Sequence, residues 1–220
     1  AWLKRHHPAA FLCGLLNSQP MGFYAPAMLI QDARHHGVTV LPPDVTTSDW
    51  DSGLDEAGAV RLGLREIGGL SQAAAERIAA VDRKKQPFSN VADLATRAAL
   101  QRRDLDLLAA ADALHSLAGH RRQAAWAASV EKPAVAVQGD LFDGLPLAEP
   151  AVPLPAPSAG ENLVADYKSL GLTLRPHPLT LLRRHLAERR FVLAGELKAA
   201  GHRALVRAAG IVVGRQRPGT

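Results

Sequence analysis

The chain has 220 residues, with 26 Lys or Arg against 21 Asp or Glu, a formal net charge of +5 and a pI near 9.8. Its apolar fraction of 47% fits a globular protein, and no apolar run reaches the roughly 20 residues needed to span a bilayer, which excludes a membrane-spanning reading. A single cysteine, Cys13, excludes an intrachain disulfide and a cysteine-built zinc site, so a cytoplasmic location is the default, and the basic balance suits a polyanionic partner.

The opening residues AWLKRHHPAAF lack the charged-then-apolar layout of a signal peptide, and a start without methionine predicts a piece of a longer chain. Residues 1–50 read as a small helical unit. Pro8 opens a helix through Leu16, with Phe11, Leu12, Leu15 and Leu16 as its apolar face, and Pro26 opens a second through His36, stopped by Gly37. VTVLPPDV then reads as extended. Neighbouring histidines on a helix point in different directions, and no soft ligand lies beside His6-His7 or His35-His36, so no metal site is assigned.

Charge then segregates along the chain. Residues 32–56 hold six acids against Arg34, and residues 131–166 hold six against Lys132. Residues 61–122 hold eleven Lys or Arg against seven acids, and residues 175–217 hold ten against two. Two basic blocks separated by acidic connections predict two nucleic-acid-facing units.

The first basic block begins with LREIGGLSQAAAERI, residues 64–78. Leu64, Ile67, Leu70, Ala74 and Ile78 recur at three- and four-residue spacing, while Gly69-Leu70-Ser71 interrupts the run, which predicts a helix, a tight hairpin and a second helix. Gly69 can bring its backbone close to a ligand, Ser71 is a good N-cap, and the free N–H groups of a helix N-terminus welcome phosphate oxygens. Arg65, Arg77, Lys84 and Lys85 are the cations expected to help. The stretch resembles a helix-hairpin-helix, a module that holds DNA by its backbone; the second glycine usual in such hairpins is replaced by Ser71. An ordinary helical hairpin with a glycine turn is the plainer alternative.

Residues 51–130 as a whole read as this region. Ser89 is the expected N-cap of NVADLATRAAL, and Leu94, Leu100, Leu105, Leu107, Leu108, Leu114 and Leu117 supply its apolar core. AADALHSLAGHRRQAAW predicts a second, degenerate hairpin, with Gly119 before a helix carrying Arg121 and Arg122, and with Trp126 in the core. Residues 131–160 are proline-rich without helical period and read as a linker. Residues 161–202 read as a helical connector, and residues 203–220 start a Val/Ile-rich strand that ends in a basic turn.

One resemblance joins these segments. LKRHHPAAFLCGLLNSQPMGFYAPAMLIQDARHHGVTVLPPDV, the hairpin at Gly69, DLATRAAL, ADALHSLAGHRRQAAW and YKSLGLTLRPHPLTLLR resemble bacterial DNA polymerase III alpha subunits, and NSQPMGFYAP resembles the error-prone paralogues of that family. The resemblance implies a mostly α fold: the helical end of a fingers domain, a tandem helix-hairpin-helix region, a linker, and the first strands of a truncated OB-fold. It implies a parent that is a DNA-directed DNA polymerase of translesion type, whose palm carboxylates would hold Mg²⁺ ions about 4 Å apart. That palm would precede Ala1, so no catalytic or metal-binding residue is assigned here, and neither Asp49 with Asp51 nor Asp104 with Asp106 is given the role. Expected partners are primer-template duplex and damage-response accessory proteins, in the bacterial cytoplasm at the nucleoid. Gln138-Gly139-Asp140-Leu141-Phe142 also resembles the peptide by which replication proteins dock on the sliding clamp, through Gln138, Leu141 and Phe142. The competing reading is a non-enzymatic helix-hairpin-helix adaptor of a repair protein; a helical protein-interaction scaffold is a third.

Overall fold

Proline at the first helical position, where its missing N–H costs nothing, starts both of the longer early helices in a computed structural model that describes residues 2–22, 24–130, 153–212 and 216. Helix α1 (Trp2–His6) leads into α2 (Pro8–Asn17), and α3 (Pro26–His35) follows, close to the expected bounds. Leu12, Cys13 and Leu16 of α2 meet Ile30 and Ala33 of α3 in a core completed by Val38, Val60, Leu62 and, from far along the chain, Leu172.

Three two-residue strands lie beside this core. Strand β3 (Val60–Arg61) is central, parallel to β1 (Val40–Leu41) with Val40 opposite Val60, and antiparallel to β2 (Gly53–Leu54) with Leu54 opposite Val60. Asp55 makes the β2–β3 turn by accepting from the N–H groups of Ala57 and Ala59 at 3.0 and 2.8 Å, and Gly58 supplies the positive φ of 78°. Asn17 exchanges two hydrogen bonds with the backbone of Ser52, which ties α2 to the sheet. Gly63 leaves the sheet where no side chain fits, since a Cβ there would lie 2.3 Å from the Trp50 carbonyl oxygen.

The second core takes Leu64, Ile67, Leu70, Ala74 and Ile78, all buried as the spacing predicts. The helix expected before the hairpin is reduced to a 3-10 turn, Leu64–Glu66. The reason is length: between strand β3, which ends at Arg61, and the left-handed Gly69 too few residues remain for a helical ladder. Glu66 and Ile67 donate three residues back, to Gly63 and Leu64, while the Leu64 and Arg65 N–H groups find the carbonyls of Asp49 and Trp50 at 2.8 and 3.1 Å. Helices α4 (Gln72–Ala80), α5 (Val91–Arg97), α6 (Arg102–Ala110), α7 (His115–Ala118) and α8 (Arg121–Val130) close the core. The cap of α5 is Asn90, one residue past the expected Ser89: Asn90 accepts from the Asp93 N–H, while the Ser89 N–H donates to the Asp93 carboxylate. Trp126 is exposed, against the expectation of a core position. Ala124 and Ala128 of α8 are buried, with Arg121 one turn before them, so the residue midway between the two alanines faces the other side.

Helix α9 (Ala159–Leu170) is capped by Ser158 and Glu161 and ended by Gly171 in the left-handed conformation. It belongs to the first of two compact units, Ala1–Leu174. Leu170 packs against both cores and Leu172 is buried in the one nearer the N-terminus.

The second unit, Arg175–Thr220, contains α10 (Pro178–Glu188), none of whose residues is buried, and a 3-10 turn at Glu196–Ala199. The strand expected to open an OB-fold is present among residues 203–212 only as a single parallel bridge, Arg207 to Phe191. One bridge offers no ladder along which a strand can extend.

Candidate nucleic-acid interface

The first turn is built from local bonds. Ile67 donates to the Leu64 carbonyl and Leu70 to the Ile67 carbonyl, so Leu70 is drawn inward and buried while Gly69, at φ +84°, carries the chain round. Ser71 then caps α4, its hydroxyl oxygen accepting from the Ala74 N–H at 3.2 Å. Gly68 donates to the Ser169 carbonyl at 2.8 Å. The N–H groups of Gly69, Ser71, Gln72 and Ala73 meet no acceptor among the described residues. They sit at the positive end of a nine-residue helix, a place suited to one phosphate.

A second turn repeats the pattern where the sequence reading did not look for it. Ala99 takes a positive φ of 47°, Leu100 is buried, and Gln101 precedes α6 as Ser71 precedes α4. The signal was hidden because Ala-Leu-Gln carries no glycine. Here the Gln101 N–H donates to the Asp104 carboxylate at 3.2 Å, so the helix start already holds an anion of its own. The turn expected at Gly119 also exists, with φ 76°, but it leads into a helix whose first arginines point at the protein.

The expected cations separate into two groups. The Arg65 guanidinium bonds the carbonyls of Asn17 and Gln19 and the Asp51 carboxylate, the last at 2.6 Å. Arg121 is buried and paired with Asp166 at 2.6 Å, and Arg122 is paired with Glu161 and bonds the Pro155 carbonyl. These three are turned to intramolecular partners. Arg77 is half-exposed, with Nε on the Ala98 carbonyl at 2.9 Å and a terminal nitrogen 3.6 Å from Asp104, so it links α4 to the second turn. Lys85 is highly exposed, 3.3 Å from Asp82, and Lys84 is exposed with no ion pair or hydrogen bond among the described residues. Arg103, which the sequence reading passed over, is exposed in the same way beside the second turn. Lys84 and Lys85 follow the far end of α4, whose nine residues run about 13 Å at 1.5 Å per residue, and the Gln86 carbonyl just after them accepts from Arg97 of α5.

Carboxylates near these turns serve arginines or caps. Asp49 pairs with Arg83, Asp51 with Arg65, and Asp106 with Arg102, so neither aspartate pair forms a shared site. Among the described residues no group of three or more His, Cys, Asp or Glu could hold a metal ion, and no helix is long and apolar enough to cross a membrane. Burial raises the Glu66 carboxyl above its ordinary range, opposed by the charge of Arg65. Hydrogen bonding from the Ser158 backbone, with lesser help from Arg122, lowers that of Glu161. Gln138, Leu141 and Phe142 lie outside the described residues.

Two buried-leucine turns with left-handed geometry, each followed by a helix in a single helical core, have the arrangement of a helix-hairpin-helix region, and the helix-hairpin-helix motif family matches residues 37–124. Over all 220 residues the chain is similar to a segment of error-prone DNA polymerases: 77% identical to that of Dechloromonas aromatica, 61% to that of an Azoarcus species and 51% to that of Pseudomonas aeruginosa. It spans 21% of the length of each of these relatives.

Proposed function

We propose that this chain grips duplex DNA by its backbone and does so as a segment of an error-prone DNA-directed DNA polymerase. The observation that carries the reading is the set of free N–H groups at Gly69, Ser71, Gln72 and Ala73, at the start of a capped helix, inside a chain similar along its whole length to such polymerases. Phosphate oxygens take those amides, Leu70 anchors the turn in the core, and Arg77, Lys84 and Lys85 supply attraction that does not depend on sequence. Arg103 joins them. Arg65, Arg121 and Arg122 act from behind, holding the frame. The adaptor alternative accounts for the hairpins alone, whereas the similarity runs from the first residue to the last.

Nucleotide addition belongs to palm carboxylates and Mg²⁺ elsewhere in the parent, so the 220-residue chain alone should show no incorporation on primer-template. The working place of the parent is the nucleoid in the cytoplasm, with damage-response accessory proteins. Docking on the sliding clamp through Gln138, Leu141 and Phe142 is part of the same proposal; Leu141→Ala with Phe142→Ala should abolish clamp binding in calorimetry and spare DNA affinity.

Fluorescence anisotropy on a short duplex across a salt series tests the grip. Log affinity should fall linearly with log salt, and Lys84→Ala should lower the slope by about one. Gly69→Val should bind worse than Lys84→Ala, because a β-branched residue cannot adopt φ +84° cheaply. Ser71→Gly should bind as well as the unaltered chain or better. A folded Gly69→Val chain with unchanged affinity would remove the turn as the DNA contact.

A further inference from the structure

The helix-hairpin-helix match ends at residue 124, yet the first turn is held by residue 169. The Ser169 carbonyl, at the C-terminal end of α9, accepts from the Gly68 N–H at 2.8 Å, and a Cβ on Gly68 would stand 3.2 Å from that same oxygen. Gly68 is not in the left-handed region, so its lack of a side chain here serves the approach of α9 and not the turn. Helix α9 is fixed in turn by charge and by packing. Asp166, buried, accepts from Arg121 at 2.6 Å and from the Thr173 hydroxyl at 2.7 Å, while Arg121 also donates to the Asn162 carbonyl and side-chain oxygens at 3.0 and 2.8 Å. Leu170 and Leu172 lock its end against the two cores.

We propose that α9 is a positioning strut for the first turn, with Asp166 and the Ser169 carbonyl as the working contacts. The proposal rests on the backbone-grip reading above. Of the amides at the turn, Gly68 is spent on α9, which fixes the direction of the Ile67–Gly68 peptide plane from which Gly69 swings the chain round, and with it the aim of the amides of Gly69, Ser71, Gln72 and Ala73. Without that acceptor, the Gly68 N–H turns to whatever oxygen is near, and the amides beyond it lose their common aim. A buried ion pair with additional hydrogen bonds is suited to this task, because it tolerates few alternative geometries.

The test uses the 220-residue chain, a short DNA duplex, and the variants Gly68→Ala, Asp166→Ala and Asp166→Asn, measured well below their melting temperatures. Gly68→Ala and Asp166→Ala should each weaken DNA binding by about three- to tenfold, the effect of misaligning a few hydrogen bonds. The salt slope should not change, since neither removes a cation. Amide exchange at position 68 should quicken in both. Asp166→Asn keeps an acceptor for Arg121 and should recover most of the affinity. If Asp166→Ala does not fold, Gly68→Ala decides alone. Loss of Gly68 protection with affinity unchanged overturns the strut, as does a fall in salt slope. Failure of the reading beneath it looks different: there the unaltered chain does not bind duplex, or a folded Gly69→Val chain binds as well as it does.

Discussion

The two turns make the same bend from different residues, and they differ in what they leave open. At the first, glycine takes φ +84° and the start of α4 offers unpaired amides; at the second, alanine takes φ 47° and Asp104 occupies the start of α6. One turn is relaxed and its helix start carries no carboxylate; the other is strained and its helix start is closed by Asp104. Local geometry therefore does not by itself make an anion site: the helix start must also lack a carboxylate of its own.

The largest effects should come from what the turns share. Leu70→Ala and Leu100→Ala remove equally buried anchors, and each should cost about 2–5 kcal/mol in denaturant unfolding. A large inequality between them would show that the turns are not equivalent supports. The contrast in backbone comes next. Ala99→Gly should raise stability by roughly 0.5–1 kcal/mol because it relieves a left-handed alanine, while Gly69→Ala should lower it by about 1 kcal/mol or more. Same-sign changes would erase the distinction drawn here. Capping should separate them too: Ser71→Ala loses the acceptor for the Ala74 N–H and should cost about 1 kcal/mol, whereas Gln101→Ala should cost less, because Asp104 holds that turn from the other side.

The smallest effect is electrostatic. Glu66 precedes the first turn with its carboxyl raised by burial. A raised folded-state value means that the native chain holds the proton more tightly than the unfolded one, so the contribution is present below the ordinary glutamate range and is lost as pH rises through the raised value. Glu66→Gln should therefore stabilise the chain at neutral pH, flatten its stability profile across that window in thermal melts, and bind DNA slightly better. A variant as pH-sensitive as the unaltered chain would detach Glu66 from the effect.

Much of the helical framework was legible in the sequence. Pro8, Pro26 and Ser71 start helices where proline and serine should, and the five apolar residues from Leu64 to Ile78 are buried at their expected spacing. Periodicity failed before Gly69. The short strand ending at Arg61 leaves too little chain before Gly69 for a helix, and the carbonyls of Asp49 and Trp50 fix Leu64 and Arg65 from a distance; nothing in residues 64–67 announces either. It failed again at Ala99, where a residue of the wrong type for the conformation is held by its surroundings. Charge was the least legible feature. Arg65, Arg77, Arg121 and Lys84 look alike in a sequence, and only long-range partners such as Asn17 and Asp166 decide which guanidinium faces inward.

The proline-rich stretch has a further property. Its near side leaves from the end of α8, and its far side returns to the beginning of the same helix, where Leu154 bonds His120 and Gln123 and Arg122 holds the Pro155 carbonyl. The two points of attachment, the end of α8 and its beginning, lie one helix apart, about 15 Å. Because Arg121, Gly68 and both cores hold α9 directly, a chain made as two pieces, ending at residue 130 and starting at residue 153, should keep α9 seated, the pieces eluting together in gel filtration.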